Sequence, residues 1–443
     1  MCCMQLGALC KKRLSVFSIS LGCPKNRVDT EHLLGSLGFA IYPVKHIGRA
    51  RLIFINTCAF IEPAVKESIH TILSIVEHVK TCKRKPFVAV GGCLVGRYGR
   101  EELAKEIPEV DLWLPSRDLE KWPILLRTAL GEDGEENFFG RFLSTGPSYA
   151  WLKIGDGCRH ACSFCTIPQI RGGLTSYTMQ GLVQEAKRLL ENGISELDLV
   201  AQDVTAWQGE NGESLVHLLD SLSSLPKLLW LRLLYLYPSG LSEELLRFVS
   251  ERGFPLLPYF DIPLQHSHPQ ILERMGRPFA KDPRFILEKI WRFVPHAILR
   301  TTFIVGFPGE TEAQYASLCR FVEEGHFQHV GVFAYQREEG SRAYDYANQV
   351  SSSVAEGRKR TLLEIQEEVS ARKLEKYVGE NMDVLIDSVN PEWPGLYNGR
   401  VWFQAPEVDG QTYISGLGPM LVPGNMVNAE ICESESYDLK ALV

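Results

Sequence analysis

Three short apolar runs near the start of the chain each lead into a loop that carries one cysteine, and this pattern restricts the possible folds most. The runs LSVFSIS, RLIFIN and PFVAVGG precede Cys23, Cys58 and Cys93, which are spaced 35 residues apart. Helix-like stretches separate the runs, and PAVKESIHTILSIVEHVK has apolar residues at three-to-four spacing. This alternation of strands and helices predicts a parallel βαβαβ unit.

These three cysteines are expected to meet at one edge of the predicted sheet. Loops that follow parallel strands emerge at the same edge, which is where such sheets bind ligands. Three thiolates gathered there can bind three irons of an iron–sulfur cluster. The alternative is a set of buried free thiols, which are common in protein cores. The equal placement after three strands favours the cluster.

A second group of cysteines lies in the stretch GDGCRHACSFC, where Cys158, Cys162 and Cys165 have the spacing C-x-x-x-C-x-x-C. Three thiolates this close in sequence can hold three irons of a cubic 4Fe–4S cluster and leave the fourth iron open to a substrate or cofactor. A structural zinc site usually takes four protein ligands in C-x-x-C pairs. Because the sequence contains no second C-x-x-C pair, zinc is the weaker alternative.

Composition and charge narrow the class of protein. A chain of 443 residues is long enough for two or three domains. Its composition, 45% hydrophobic and 23% charged, is typical of globular proteins. No apolar run approaches the roughly 18–20 residues that span a bilayer, and the first twenty residues lack the order of a secretory signal. Twelve cysteines without such a signal indicate a reducing cytoplasm and thiolates kept for metal. A net charge of −7 argues against general nucleic-acid binding.

Three domains are predicted, in an α/β fold class with a β-barrel at the end. Residues 1–140 form the parallel α/β domain, and a segment rich in glycine and acids, 131–148, forms a linker. Residues 144–377 contain six strand-like runs, too few for a complete TIM barrel, and therefore predict an open six-stranded (βα) partial barrel followed by a connecting helix. Residues 378–443 alternate apolar and polar residues between turns, which predicts a small antiparallel β-barrel.

Several stretches resemble the methylthiotransferases of the radical S-adenosylmethionine (AdoMet) superfamily, namely SLGCPKNRVDTE, INTCAFIEPA, VGGCLVGRY, GDGCRHACSFCTIPQIRG and TTFIVGFPGETE. The resemblance extends from about residue 14 to the C-terminus. Within the family, Gly22-Cys23-Pro24-Lys25-Asn26 is similar to the protein-modifying branch, whereas the tRNA-modifying branch typically has GCQMN. One departure is Tyr177, which stands where the family pattern Arg-Gly-x-x-x-Ser-Arg closes on arginine.

The resemblance implies two 4Fe–4S clusters, one on each cysteine group, with S-adenosyl-L-methionine as the other cofactor. The cluster on the second group would cleave AdoMet to a 5′-deoxyadenosyl radical, and the cluster on the first would carry the sulfur that another AdoMet methylates. The implied product is a methylthio group on the β-carbon of an aspartate in small-subunit ribosomal protein twelve. A reductant such as flavodoxin or ferredoxin would supply the electron.

Further cofactor-binding candidates follow the predicted barrel strands, whose C-terminal ends form the mouth where barrel enzymes keep their chemistry. Gln202 and Asp203 end the second strand, and Gln265 and His266 end the fourth; the alternative is that they are ordinary polar loop residues. The glycines after the fifth strand lie either near the adenine or in a plain turn. The cofactor-binding set is Phe164, Gln202, Asp203, Gln265, Gly306 and Gly309.

The last domain resembles a TRAM domain, an OB-like module that often binds RNA. Residues 379–443 contain ten acidic and two basic residues. Because RNA binding rests mainly on cations that contact phosphates, RNA contact is not expected. A basic ribosomal protein suits this surface, while a solvated face that aids solubility is the alternative.

Two other functions remain open at this point. The first is the same chemistry on a modified adenosine of tRNA, which tight and salt-sensitive tRNA binding would reveal. The second is a non-catalytic iron–sulfur electron carrier, which would need clusters fully ligated by protein. Two groups of three cysteines argue against the carrier.

Overall fold

The computed structural model describes residues 12–132, 140–277, 282–416 and 421–443. It divides into two compact units, and the first comprises Met1–Ser144 together with Thr166–Gly173. The second unit comprises Thr145–Cys165 and Leu174–Val443. The centre of the predicted linker, 133–139, lies outside the described residues.

The first unit contains a five-stranded sheet in which every neighbouring pair is parallel, in the order β2-β1-β3-β4-β5. Its strands are β1 (Arg13–Ser20), β2 (Ala40–Pro43), β3 (Leu52–Thr57), β4 (Phe87–Gly92) and β5 (Leu112–Pro115). Its helices are α1 (Pro24–Gly35), α2 (Glu62–Lys80), α3 (Cys93–Tyr98), α4 (Arg100–Glu106), α5 (Trp122–Ala129) and α6 (Ile167–Arg171). The three predicted strands are confirmed, and β2 and β5 were missed because four residues carry too little periodicity.

The central strand β3 explains why this sheet is covered on both faces. All six of its residues are buried, and successive side chains point to opposite faces. Leu52 and Phe54 join one hydrophobic cluster, whereas Ile53 and Ile55 join the other. A strand buried on both faces is typical of parallel sheets between helices.

The second unit begins with an open six-stranded parallel sheet in the order β13-β12-β11-β10-β9-β6, which confirms the predicted partial barrel. Its strands are β6 (Tyr149–Lys153), β9 (Glu196–Val200), β10 (Trp230–Leu233), β11 (Leu256–Asp261), β12 (Ile298–Val305) and β13 (His329–Ala334), with a short ribbon of β7 (Gly155–Asp156) and β8 (Thr175–Ser176). The helices are α7 (Met179–Glu191), α8 (Leu215–Ser223), α9 (Glu243–Arg252), α10 (Pro269–Arg274), α11 (Arg284–Phe293) and α12 (Glu312–Glu323).

A long helix, α13 (Ser352–Leu374), connects this sheet to a closed five-stranded barrel at the C-terminus. The barrel strands are β14 (Asn381–Val389), β15 (Leu396–Val401), β16 (Thr412–Ser415), β17 (Met426–Ser434) and β18 (Leu439–Leu442). Its neighbouring pairs are antiparallel as predicted, except that β16 and β18 are parallel. A closed ring of five strands requires one such pair, because strand direction cannot alternate around an odd number.

Buried ion pairs join the C-terminal barrel to the partial barrel within the second unit. Arg232 donates to Glu196 Oε1 at 2.8 and 2.9 Å and to the Trp402 carbonyl at 2.8 Å. Arg400 lies 2.6 Å from Glu196 Oε2. Asp198 also contacts Arg232, and burial, followed by the charge of Glu196, raises the pKa of this carboxyl well above its ordinary value. The β9 carboxylates therefore depend on two arginines for compensation.

Among the described residues, no helix has the length and apolar character needed to cross a membrane.

Candidate active site

The cysteines of the C-x-x-x-C-x-x-C stretch lie on one loop that follows β6 and β7 in the second unit. Cys158, Cys162 and Cys165 are all half-buried. Burial raises the pKa of the Cys158 thiol, so ionisation of this thiol requires a compensating cation. Bound iron is such a cation, because the thiolate is the form that binds metal.

Later segments of the partial barrel hold this loop in place. The Ser163 N–H donates to the Met275 carbonyl at 2.9 Å, and the Ser163 hydroxyl donates to the Arg274 carbonyl at 2.8 Å. The Ala343 N–H donates to the Ser163 carbonyl at 2.8 Å. Hydrogen bonds to carbonyls at the C-terminal end of α10, and one from the region after β13, therefore fix the middle of the loop.

Two donors point at the sulfurs of this loop. The His160 N–H lies 3.4 Å from Cys158 Sγ, and Arg277 Nη1 lies 3.6 Å from Cys162 Sγ. The His160 ring stacks on Tyr237 with centroids 3.7 Å apart, and Arg277 lies 4.5 Å above the same tyrosine. Hydrogen bonds to cluster sulfurs are one way in which proteins set the reduction potential of an iron–sulfur cluster. Sequence spacing had assigned no role to Arg277.

The residues at the end of β9 hold the cluster loop by direct hydrogen bonds. Asp203 Oδ2 lies 2.6 Å from His160 Nε2. Gln202 Nε2 donates to Asp156 Oδ1 at 3.0 Å, and Lys153 Nζ donates to the other oxygen of that carboxylate at 2.7 Å. Gln202 Oε1 is buried and has no hydrogen-bond partner in the described part of the chain. That oxygen is available to accept a hydrogen bond.

The other predicted mouth residues lie around a buried carboxylate. His266 Nε2 lies 3.0 Å from Glu310 Oε1, and Arg358 Nη1 lies 2.8 Å from Glu310 Oε2. The Gly306 N–H also donates to Glu310. His266 is fully buried, so its side chain is occupied within the protein and does not line the mouth as expected.

Gln265, Gly309 and Phe164 complete the predicted set. Gln265 has a φ of +75°, and its backbone bonds to strand β12 through Thr302 and Ile304. The Gly309 N–H donates to the Asn348 carbonyl at 2.8 Å. Phe164 packs against a hydrophobic cluster that also contains buried residues of α10 and of the turn after β12.

The other three cysteines, Cys23, Cys58 and Cys93, follow β1, β3 and β4 at the same edge of the sheet in the first unit. Gly22 lies so close to Cys58 that a Cβ at position 22 would be 2.7 Å from its Cβ and 2.9 Å from its Sγ. Cys93 begins α3 and is buried. The parallel topology therefore brings together residues 35 and 70 positions apart, as predicted.

The electrostatics of this group call for a cation. Burial, and then the charge of Cys93, raises the pKa of the Cys58 thiol to about 12. Burial also raises the pKa of Cys93, while the charge of Arg171 lowers it. Three neighbouring thiolates without metal would be both desolvated and mutually repulsive, and bound iron removes both penalties.

Both cysteine groups fit an iron–sulfur cluster. Among the described residues, no three Cys, His, Asp or Glu side chains are placed to hold a single metal ion. Each cysteine of a cluster site binds a different iron, so its thiolates surround the cluster without meeting at one point. Each group contains three cysteines.

Three stretches match known protein families. Residues 15–115 match Uncharacterized protein family UPF0004, residues 152–322 match the Radical SAM superfamily, and residues 378–443 match the TRAM domain. The chain is 56% identical to "Ribosomal protein uS12 methylthiotransferase RimO" of Nitratidesulfovibrio vulgaris (strain DP4), over 97% of this chain and 100% of the relative. The chain belongs to the RimO family. Its identity to the RimO of Aquifex aeolicus (strain VF5) is 42%, over 95% of each chain.

Solved structures agree on the fold of the RimO-family chain. The radical S-adenosylmethionine methyltransferase TsrM from Kitasatospora setae, solved with cobalamin and a 4Fe–4S cluster bound, superposes with a TM-score of 0.55 at 11% identity. The match covers 88% of this chain and 80% of TsrM. The predicted family, fold class and enzyme class are therefore confirmed, and the cofactors of the RimO family are S-adenosylmethionine and 4Fe–4S clusters.

The structure shows which charged residues of the TRAM domain are bound within the protein in this RimO-family chain. Of its two cations, Arg400 is buried and bound to Asp387, while Lys440 pairs with Glu433 and Glu435. Three of its ten acids, Asp387, Glu407 and Asp409, bond to side chains of the partial barrel. The remaining surface has seven acids and one paired lysine, which is unfavourable for phosphate contacts.

Tyr177, which departs from the family pattern, makes two hydrogen bonds through its backbone. Its N–H donates to the Ile154 carbonyl at 2.9 Å, and its carbonyl accepts from Trp207 Nε1 at 3.1 Å. Its ring lies 5.8 Å from Lys153 Nζ. A cation therefore lies beside this position, although the residue itself is uncharged.

Proposed function

We propose that this protein inserts a methylthio group at the β-carbon of an aspartate of ribosomal protein uS12. The observation that carries the proposal is the presence of two separate three-cysteine groups on a RimO-family chain that matches its relative over 97% of its length. Each group leaves one iron of a cluster without a protein ligand. Two open sites allow radical generation and sulfur donation to be separated.

The ligand assignments follow from this division. Cys158, Cys162 and Cys165 hold the cluster that serves AdoMet cleavage, and Cys23, Cys58 and Cys93 hold the cluster that serves sulfur donation. When bound, the clusters supply a low-potential electron and an iron that carries the sulfur to be methylated.

The overall reaction balances. The β-carbon loses a hydrogen atom to the 5′-deoxyadenosyl radical, which becomes 5′-deoxyadenosine, and the carbon gains a bond to sulfur. The methyl group comes from a second AdoMet, which becomes S-adenosylhomocysteine. Conversion of the first AdoMet to methionine and 5′-deoxyadenosine takes up the two electrons that joining carbon to the methylated sulfide releases.

The mouth residues are proposed to bind AdoMet or to position the loop that binds it. Gln202 offers Oε1 as a buried acceptor for the amino or ribose groups of AdoMet. Asp203 acts through His160 and orients the cluster loop. The remaining contacts are assigned to Phe164, Gln265, Gly306 and Gly309.

The charge of the TRAM surface supports a basic protein as the substrate. A basic ribosomal protein complements seven acids, and tRNA does not. A flavodoxin or ferredoxin is the proposed reductant, and a ribosomal substrate would place the reaction in the cytoplasm.

The test is anaerobic reconstitution of the full chain with iron, sulfide, AdoMet and a chemical reductant, followed by incubation with uS12. We expect uS12 to gain the mass of one methylthio group in place of a hydrogen, located on one aspartate by peptide sequencing. A uS12 variant with asparagine at that aspartate is the control and should gain nothing. In a parallel incubation with tRNA, a methylthio gain on tRNA together with none on uS12 would refute the proposal.

A further inference from the structure

The residues that directly follow the C-x-x-x-C-x-x-C loop pack with the first unit. Thr166–Gly173 belongs to that unit, although the chain on both sides of it belongs to the second. Ile170 is fully buried in the same hydrophobic cluster as Cys93 and Leu94. The Ile170 carbonyl accepts from the Ser116 hydroxyl at 3.0 Å. This segment therefore has a defined position beside the cysteine edge of the sheet.

Arg171, at the end of this segment, points into the group formed by Cys23, Cys58 and Cys93. Its side chain is 1% exposed, and its Nε lies 3.4 Å from Cys93 Sγ. Its Nη2 donates to Asp29 Oδ2 at 3.0 Å and also to Asn26 Oδ1. Both partners lie in α1, the helix that follows Cys23.

The partners of Arg171 are themselves fixed to the cysteine loops. Asn26 is fully buried, and its Nδ2 donates to the Thr57 carbonyl at 3.0 Å, directly before Cys58. Asn56 Nδ2 donates to the Asn26 carbonyl at 2.7 Å. The Arg171 guanidinium is thus held rigidly. Its Nε contacts the Cys93 sulfur, and its Nη2 donates to two side chains of α1.

A buried cation in this place has a chemical consequence. Three thiolates carry negative charge into a buried site, and a cluster bound there gains one more negative charge on reduction. A cation and an N–H donor at a cluster sulfur stabilise the reduced form, which raises the reduction potential. The Asp29 carboxylate offsets part of the positive charge of Arg171. It does not replace the contact between Arg171 Nε and Cys93 Sγ.

We propose that Arg171 is a positioning residue of the cluster site formed by Cys23, Cys58 and Cys93, where it holds Cys93 in place and raises the reduction potential of the bound cluster. The inference rests on the proposed function only in that this site binds a cluster.

The experiment uses the full chain with Cys158, Cys162 and Cys165 changed to alanine, so that only the site formed by Cys23, Cys58 and Cys93 holds iron. Arg171→Met, Arg171→Lys and Arg117→Met are compared in this parent by iron content and by a redox titration followed by electron paramagnetic resonance. Arg117 is the matched control, because it donates to the carbonyls of Gln169 and Ile170 in the same segment. Neither of these contacts involves a sulfur.

We expect Arg171→Met to shift the equilibrium constant of one-electron reduction about tenfold towards the oxidised form, which is 59 mV. Arg171→Lys should shift it less, and Arg117→Met should leave it unchanged. Iron lost from Arg171→Met but kept by the other two variants would also support the positioning role. Equal effects of Arg117→Met and Arg171→Met, or no effect of either, would overturn the inference. A parent that binds no cluster would overturn the proposed function as well.

Discussion

Gly22→Ala tests whether the close packing of Gly22 against Cys58 is needed for cluster binding at Cys23, Cys58 and Cys93. Position 22 has a φ of +87°, which L side chains rarely adopt, and the new Cβ would lie 2.7 Å from Cys58 Cβ. Ordinary carbon contacts begin at about 3.5 Å, so Cys58 would have to move by roughly 0.8 Å. A displacement of this size removes one thiolate from a rigid set of three.

Gly99→Ala is the matched control for the backbone strain. Gly99 has a φ of +82°, and a Cβ there would meet nothing within 4 Å. Both substitutions are expected to cost on the order of 1–3 kcal/mol in the free energy of unfolding, because both force a side chain into a glycine conformation.

The assay is iron and sulfide content after reconstitution, with thermal unfolding measured in parallel. Gly22→Ala should bind one cluster where the parent binds two, and it should still cleave AdoMet. Gly99→Ala should bind both. Full iron binding by Gly22→Ala, with a loss of stability equal to that of Gly99→Ala, would refute the reasoning.

Three further predictions concern the division of chemistry and the buried charges. Cys58→Ala should leave AdoMet cleavage intact and abolish methylthiolation, measured as 5′-deoxyadenosine and as product mass; survival of both activities would contradict two separate sites. Arg232→Met should cost about 3–5 kcal/mol in urea unfolding because it strands buried carboxylates, whereas Arg252→Met, at a more exposed pair, should cost under about 1 kcal/mol. Because burial, followed by the charge of Glu196, raises the pKa of Asp198, the contribution of this carboxyl to stability should fall as pH rises above its unfolded-state value of about 4. Asp198→Asn should remove that part of the fall, seen as urea midpoints at about pH 5 and about pH 8 that differ less than in the parent.

Much of the backbone was predictable because it follows local patterns. Long apolar runs marked the buried strands, and Gly and Pro marked the turns between them. The strands β2 and β5 escaped because four residues carry little periodicity. The parallel pair β16–β18 escaped for another reason, since strand direction in a closed barrel depends on the strand count and not on any one segment.

The sequence predicted the cysteines of the candidate site but not the arginines that contact them. The spacing of six cysteines predicts them as cluster ligands, because a cluster requires thiolates at defined places on loops. Arg277 and Arg171 lie 115 and 78 residues from the sulfurs they contact, so no local pattern connects them. His266 shows the opposite error, since a polar residue after a strand was expected at the mouth and is buried against Glu310.

The sequence by itself determined the chemistry that the chain can carry: two sets of three thiolates, a parallel fold that gathers one of them, and an acidic last domain. The tertiary structure decided which charges remain available. It buries Arg400 in an ion pair with Asp387 and leaves seven acids of the TRAM domain outside the contacts with the partial barrel. It also places the Arg171 guanidinium against Cys93 Sγ. The physical reason is that ligand type and strand pattern are local properties of the chain. Burial and charge pairing depend on residues that are distant in sequence and meet only when the fold is complete.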